Sequence, residues 1–298
     1  MTSSKDRIIT ALGFGGQVVA YIADTHDLVE EMRRRHDTWP VVTAALGRTA
    51  TLGAILGSTL KHEKHQVTLQ VQGGGPIGRI LVVATGSQTV RGYADEPHIM
   101  LDLKQNGKLD VSRAVGAEGS VTVIKDLGLR EPYRGSVPIV SGEIGEDFTY
   151  YFAVSEQTPS AVSVGVLVDR DYSVKRAGGL LLQVLPQTPT EVIDAMEKRL
   201  AALPSMTTML EDGARLEDIL TRVLGDDVQI VNEQSVMFAC TCSKERLAGI
   251  LQTLGHEELT AMRDEQNGAE LVCHFCGEKY QFDAVELQAL IDHIHTNN

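Results

Sequence analysis

The sequence predicts an α+β fold: an N-terminal mixed α/β sheet domain, a helical linker and a small C-terminal α+β domain. Three observations carry this. Strand-like and helix-like segments follow one another without regular βαβ alternation. Two amphipathic helical stripes lie between residues 187 and 230, and all four cysteines fall in the last quarter of the 298 residues. At roughly 100–200 residues per domain, that length suits two domains, each with its own core. The boundaries read as 1–186, 187–231 and 232–298.

Ile8 to Ile22 carries β-branched residues interrupted by Gly13, Gly15 and Gly16, which reads as strand, glycine turn, strand. Thr25 or Asp27 caps a helix running through Glu30 to Arg35. Trp39-Pro40 opens another that includes Ala44, Ala45, Leu46, Ala50, Leu52 and Leu56. From His65 the pattern turns to β, with Val67–Gln72, Arg79–Ala84, Thr89–Tyr93, Ser120–Ile124 and Phe148–Ser155 as short strands. The last strand, around Leu180–Leu185, stops at Pro186. Thr188, Pro189 and Glu191 then supply a capping box with proline at the first helical position. Val192, Ile193, Met196, Leu200 and Leu203 follow on one face. After Pro204, Leu216, Ile219, Leu220, Val223 and Leu224 repeat the helical spacing until Gly225 ends it. Met196, Met206, Met209 and Met237 read as core filler, although thioethers on amphipathic helices also suit adaptable apolar surfaces.

The chain carries 27 Lys+Arg against 40 Asp+Glu, a formal charge of −13. Residues 232–298 are themselves acidic, with eleven carboxylates against four Lys/Arg. Nucleic-acid binding is disfavoured, because neutralising phosphates needs clustered cations. No apolar run reaches the roughly 18–20 residues of a membrane span; candidates such as Ile80–Thr85 stop at strand length. The start, Met1 to Ile9, has no apolar signal core. The expectation is a cytoplasmic protein without membrane partners.

Cys240-Thr-Cys242 and Cys273-His-Phe-Cys276 form CxC, thirty intervening residues, then CxxC. Four thiolates from two turns can close a tetrahedral shell around Zn(II) at about 2.3 Å per bond. Gly277, directly after the second pair, suits a tight knuckle turn. A purely structural zinc ribbon is the plainer reading, but CxC sets two sulfurs one residue apart, where oxidation can join them. Gly73 to Gly78 formally matches GxGxxG, yet a strand follows where pyrophosphate binding needs a helix, so it reads as a hairpin turn. His62 and His65 read as cations at a helix end, and His293 and His295 as solvent-exposed. Glu143, Glu146 and Asp147 read as a solvated turn. No nucleotide loop, nucleophile elbow or catalytic triad is present, and no enzymatic activity is expected.

With CxC-x30-CxxC at its end, the chain resembles the thirty-three-kilodalton heat-shock chaperone family, the redox-regulated holdases of bacteria. The likeness extends to Val90-Arg-Gly-Tyr93, Lys125-Asp-Leu-Gly128, Glu131-Pro-Tyr-Arg-Gly135, Gly142-Glu-Ile-Gly-Glu-Asp147 and Ser155-Glu-Gln-Thr-Pro-Ser160, and covers essentially the whole chain. The resemblance implies a substrate-interacting, dimerising domain over 1–186, a metastable helical linker over 187–231 and a zinc redox switch over 232–298. It implies one Zn2+ per reduced chain, held by Cys240, Cys242, Cys273 and Cys276. Its function would be that of an ATP-independent holdase, inactive when reduced and zinc-bound, active when oxidised, and a homodimer when active. Oxidation is expected to join Cys240 to Cys242 and Cys273 to Cys276, closures that sequence proximity makes local. The linker faces Val192/Met196/Leu200 and Leu216/Leu220/Val223 would then meet unfolded clients. Two other readings stay open. A thiol–disulfide oxidoreductase using Cys273 and Cys276 lacks its usual thioredoxin-like βαβ context. A zinc-ribbon nucleic-acid module is opposed by the acidity of the segment.

Overall fold

The computed structural model describes residues 6–296, with side chains as far as Ile294; the expectations for Met1 to Lys5 and for the His295 side chain lie outside the described residues. The chain divides into two compact units, one ending at Ala239 and one beginning at Cys240.

The first unit begins with β1 (Arg7–Gly13), β2 (Val18–Asp24), α1 (His26–His36) and α2 (Pro40–Ser58). Then come β3 (Gln66–Gln72), β4 (Arg79–Thr85), β5 (Thr89–Ala94), α3 (Val111–Val115), β6 (Ser120–Asp126) and β7 (Tyr133–Pro138). It continues through α4 (Gly145–Val154), β8 (Ser160–Val168) and β9 (Val174–Val184) to α5 (Thr190–Ala201), α6 (Met206–Glu211) and α7 (Leu216–Leu224). It closes with β10 (Gln229–Ser235) and β11 (Met237–Phe238). The second unit contains α8 (Lys244–Gln252), α9 (His256–Gln266), β12 (Gly268–Val272), β13 (Lys279–Asp283) and α10 (Ala284–Thr296). The predicted α+β class holds.

One antiparallel sheet has the order β10-β1-β2-β9-β8 and the second has the order β11-β5-β4-β3-β6-β7, where the short β11 pairs parallel with β5. Helix α2 touches strands of both sheets, and every residue from Val41 to Gly57 except Arg48 is buried. Such all-round burial requires a helix apolar on every face. The side-chain period of two divides β1 between two cores. Ile8 joins the cluster around α2, whereas Ile9 and Ala11 face a second cluster with α5, α6 and α7. The first sheet is thus apolar on both faces, and the three helices cover the outer one.

Several expectations change. Phe148–Val154 lies in helix α4, with Ser155 as its C-cap, and is not a strand: Phe148, Tyr151 and Phe152 are buried at i, i+3 and i+4, and aromatic β-propensity gave way to that packing. Asp147, expected in a solvated turn, is fully buried. Its carboxylate accepts the N–H groups of Val140, Ser141, Gly142 and Ile144 at 2.9–3.2 Å. Glu143 is likewise engaged, with Arg48 at 2.9 Å and with Lys104, while Glu146 is exposed in the first turn of α4. The Thr188 capping box does not form. The Thr188 hydroxyl donates to the carbonyls of Leu185 and Gln17, and α5 begins at Thr190 after Pro189. The Thr25 hydroxyl pairs with that of Thr51 instead of capping α1. His62 and His65 lie beyond the end of α2, stacked edge to face at 4.7 Å between ring centroids. By length and composition Pro40–Ser58 is apolar enough to cross a membrane, contrary to the expectation that no run qualifies, and 89% of that stretch is buried. Its small Ala, Gly and Thr residues hid it from a search for large apolar runs. Finally, the expected boundary at 231/232 falls inside β10, which pairs with β1.

Candidate metal centre

Strands β12 and β13 pair antiparallel with Val272 opposite Lys279, which leaves Cys273–Glu278 as the tip of a hairpin. The Cys273 N–H donates to Glu278 O at 2.9 Å and closes the tip. Cys273 O accepts from Cys276 N at 3.3 Å and Gly277 N at 2.8 Å, which curls the chain into a knuckle. Gly277 sits at φ 71°, a left-handed conformation that costs glycine little. The first pair precedes α8, whose cap Ser243 accepts the Arg246 N–H at 3.2 Å. The Arg246 guanidinium reaches back to Thr241 Oγ1 at 3.3 Å, bracing the residue between Cys240 and Cys242.

These two turns bring the four Sγ atoms of Cys240, Cys242, Cys273 and Cys276 within 4.8 Å of one another. Cys240 and Cys273 are 3.8 Å apart and Cys242 and Cys276 3.3 Å. A regular tetrahedron with bonds of about 2.3 Å has edges of about 3.8 Å, so the donor set fits zinc. Cys276 is buried and the other three are half-buried. Burial pushes the Cys240 and Cys276 thiols up, where proximity to other sulfurs compounds it. Burial acts on Cys242 in the same sense, but hydrogen bonds led by that of the Tyr280 hydroxyl outweigh it and bring the thiol down to about 7. A divalent cation bound there would supply the charge that holds all four as thiolates.

The sequence model described as Hsp33 protein matches residues 6–283. The chain belongs to the Hsp33 family. It is 49% identical over 289 residues to the 33 kDa chaperonin of Bacillus cytotoxicus, covering 97% of this chain and 99% of that one. To the Bacillus cereus 33 kDa chaperonin it is 49% identical over 291 residues, covering 97% of this chain and 100% of the relative. The crystal structure of the 33 kDa chaperonin from Thermotoga maritima matches with a TM-score of 0.93 and 38% identity, covering 99% of this chain and 100% of that one. The relatives are named chaperonins, not enzymes.

In this Hsp33 chain, the structure gathers the four cysteines within the second unit, and the linker candidates belong to a cluster of the first. His293 is exposed on α10. The linker residues Met196, Leu216, Leu220 and Val223 are buried and Val192 and Leu200 half-buried, all in one cluster against Ile9, Ile22, Leu180 and Leu182. Sequence reasoning missed Tyr280, whose only signal was an aromatic on the strand leaving the CxxC knuckle.

Proposed function

We propose that this chain is a redox-regulated, ATP-independent holdase whose zinc-bound form is off and whose oxidised form binds unfolding proteins. The observation that carries the reading is the cluster of four sulfurs in a unit whose core, among the described residues, is Leu251, Leu259, Phe282, Leu287 and Ile291 with their half-buried neighbours. A unit of about 60 residues is marginal by itself. A structural zinc contributes about 10–16 kcal/mol in small peptides, as much as the whole stability of many domains.

Zinc held by Cys240, Cys242, Cys273 and Cys276, one ion per chain, would make this unit conditional on its thiolates. Oxidation to disulfides, Cys240–Cys242 and Cys273–Cys276, takes away the ligands and so the fold. In this reading α5, α6 and α7 form the responsive linker. Their release presents Val192, Met196, Leu200, Leu216, Leu220 and Val223, together with the face of the first sheet that they cover. Each 100 Å² of apolar surface so offered is worth about 2–3 kcal/mol to a client. We take the active form to be a homodimer in the cytoplasm.

The test is light scattering from a thermally unfolding client, with reduced zinc-loaded and peroxide-treated protein side by side. Suppression by the oxidised form alone is expected, and equal suppression by both forms would remove redox control. Insulin reduction and nucleic-acid binding, run as controls, address the two competing readings.

A further inference from the structure

The Tyr280 hydroxyl donates a hydrogen bond to Cys242 Sγ at 3.2 Å. Tyr280 stands on β13 opposite Leu271 of β12, and its ring packs half-buried against the small core of the second unit. The hairpin backbone and the ring's packing therefore fix the hydroxyl independently of the sulfur. Among the described residues Cys242 is the cysteine that accepts this tyrosine hydroxyl bond, and it lies 3.3 Å from Cys276 across the cluster. A donor to a thiolate stabilises the charge that makes sulfur reactive, so the bonded sulfur is the weaker nucleophile.

We propose that Tyr280 is a positioning residue that restrains Cys242, so that its hydroxyl sets how much oxidant the switch requires. The proposal rests on the redox reading above. With a peroxide as oxidant, a thiolate sulfur attacks one oxygen, the S–O bond forms as the O–O bond breaks, and the other oxygen leaves as hydroxide. Sulfur is oxidised to a sulfenic acid and the peroxide is reduced. A second thiolate then attacks the sulfenic sulfur, forming the S–S bond and expelling hydroxide. Tyr280 slows the first of these steps at Cys242.

The experiment uses reduced, zinc-loaded full-length protein and its Tyr280→Phe variant, which keeps the ring and loses only the oxygen. Limiting iodoacetamide followed by peptide mass mapping gives the share of label at each cysteine, and a chromogenic chelator follows zinc release under peroxide. Leu271→Ala serves as a second variant that loosens the same hairpin without removing the hydroxyl. Tyr280→Phe is expected to raise the Cys242 share and the rate of zinc release about three- to tenfold, while Leu271→Ala raises labelling at all four cysteines together. An unchanged Cys242 share, or a uniform rise like that of Leu271→Ala, overturns the proposal. Wild-type protein that keeps its zinc under peroxide overturns the redox reading instead, and the iodoacetamide shares still decide the role of Tyr280.

Discussion

The Asp6 carboxylate accepts the backbone N–H of Leu28 at 2.6 Å, so a residue just before β1 caps α1 from 22 positions away. It also accepts the Asp27 N–H at 3.0 Å. Burial pushes its carboxyl up to about 7 from 3.8, against the pull of both N–H groups. A raised carboxyl favours the protonated folded state, so its contribution to stability is fully present below the unfolded value and is lost as pH rises through about 7. Thermal midpoints of wild type and Asp6→Asn, measured across this range, check the sign. Wild type should lose stability relative to the variant from about pH 4 to about pH 7, and a constant difference would contradict the burial argument.

Metal analysis of reduced protein should give one zinc per chain. Each of Cys240→Ser, Cys242→Ser, Cys273→Ser and Cys276→Ser should bind zinc more weakly, because a hydroxyl replaces a thiolate in a four-ligand shell. Undiminished zinc in any one variant removes that residue from the shell.

Gly13 ends β1 where α7 crosses it, and a methyl group there would fall 2.6 Å from Leu224 Cβ. Gly13→Ala should therefore push on α7, at a cost of about 1–3 kcal/mol for overpacking. The variant should require less peroxide for activation than wild type. Leu220 is fully buried and Val192 only half-buried, so Leu220→Asp should loosen the reduced linker more than Val192→Asp does. Hydrogen exchange over 216–224 ranks them, and the reverse order would mean that burial does not govern linker release.

In the reduced cluster, the Cys240–Cys273 and Cys242–Cys276 approaches are 3.8 and 3.3 Å. All four sulfurs lie within 4.8 Å, so geometry leaves the first disulfide open while sequence proximity favours the local pairs. Peptide mapping of the fully oxidised form should find Cys240–Cys242 and Cys273–Cys276. Predominant cross-pairing would show that the reduced geometry is trapped before the unit opens.

Much of this was legible in the sequence because the responsible signals are local. The glycine turn before β2, the Pro40 helix start and the Leu216–Leu224 stripe each depend on neighbours within a few residues, as does the CxC/CxxC spacing. The errors arose where distant residues decide. Asp6 caps α1 from outside its own element. The hydroxyl of Thr188 is drawn to the Gln17 carbonyl, and Asp147 gathers four backbone N–H groups that turn an aromatic run into α4. β10 gave no amphipathic signal because most of its side chains are exposed and main-chain pairing to β1 holds it. Tyr280 could not be assigned to Cys242, since the two lie 38 residues apart and meet only in the folded second unit.

In the proposed switch, oxidation at the four cysteines frees α5, α6 and α7. Hydrogen exchange across residues 190–224, read together with client aggregation before and after peroxide, tests it most directly. Strong amide protection is expected in the zinc-bound form, with loss of that protection in step with the gain of holdase activity. If the oxidised protein suppresses aggregation while keeping full protection across 190–224, linker release is not the mechanism.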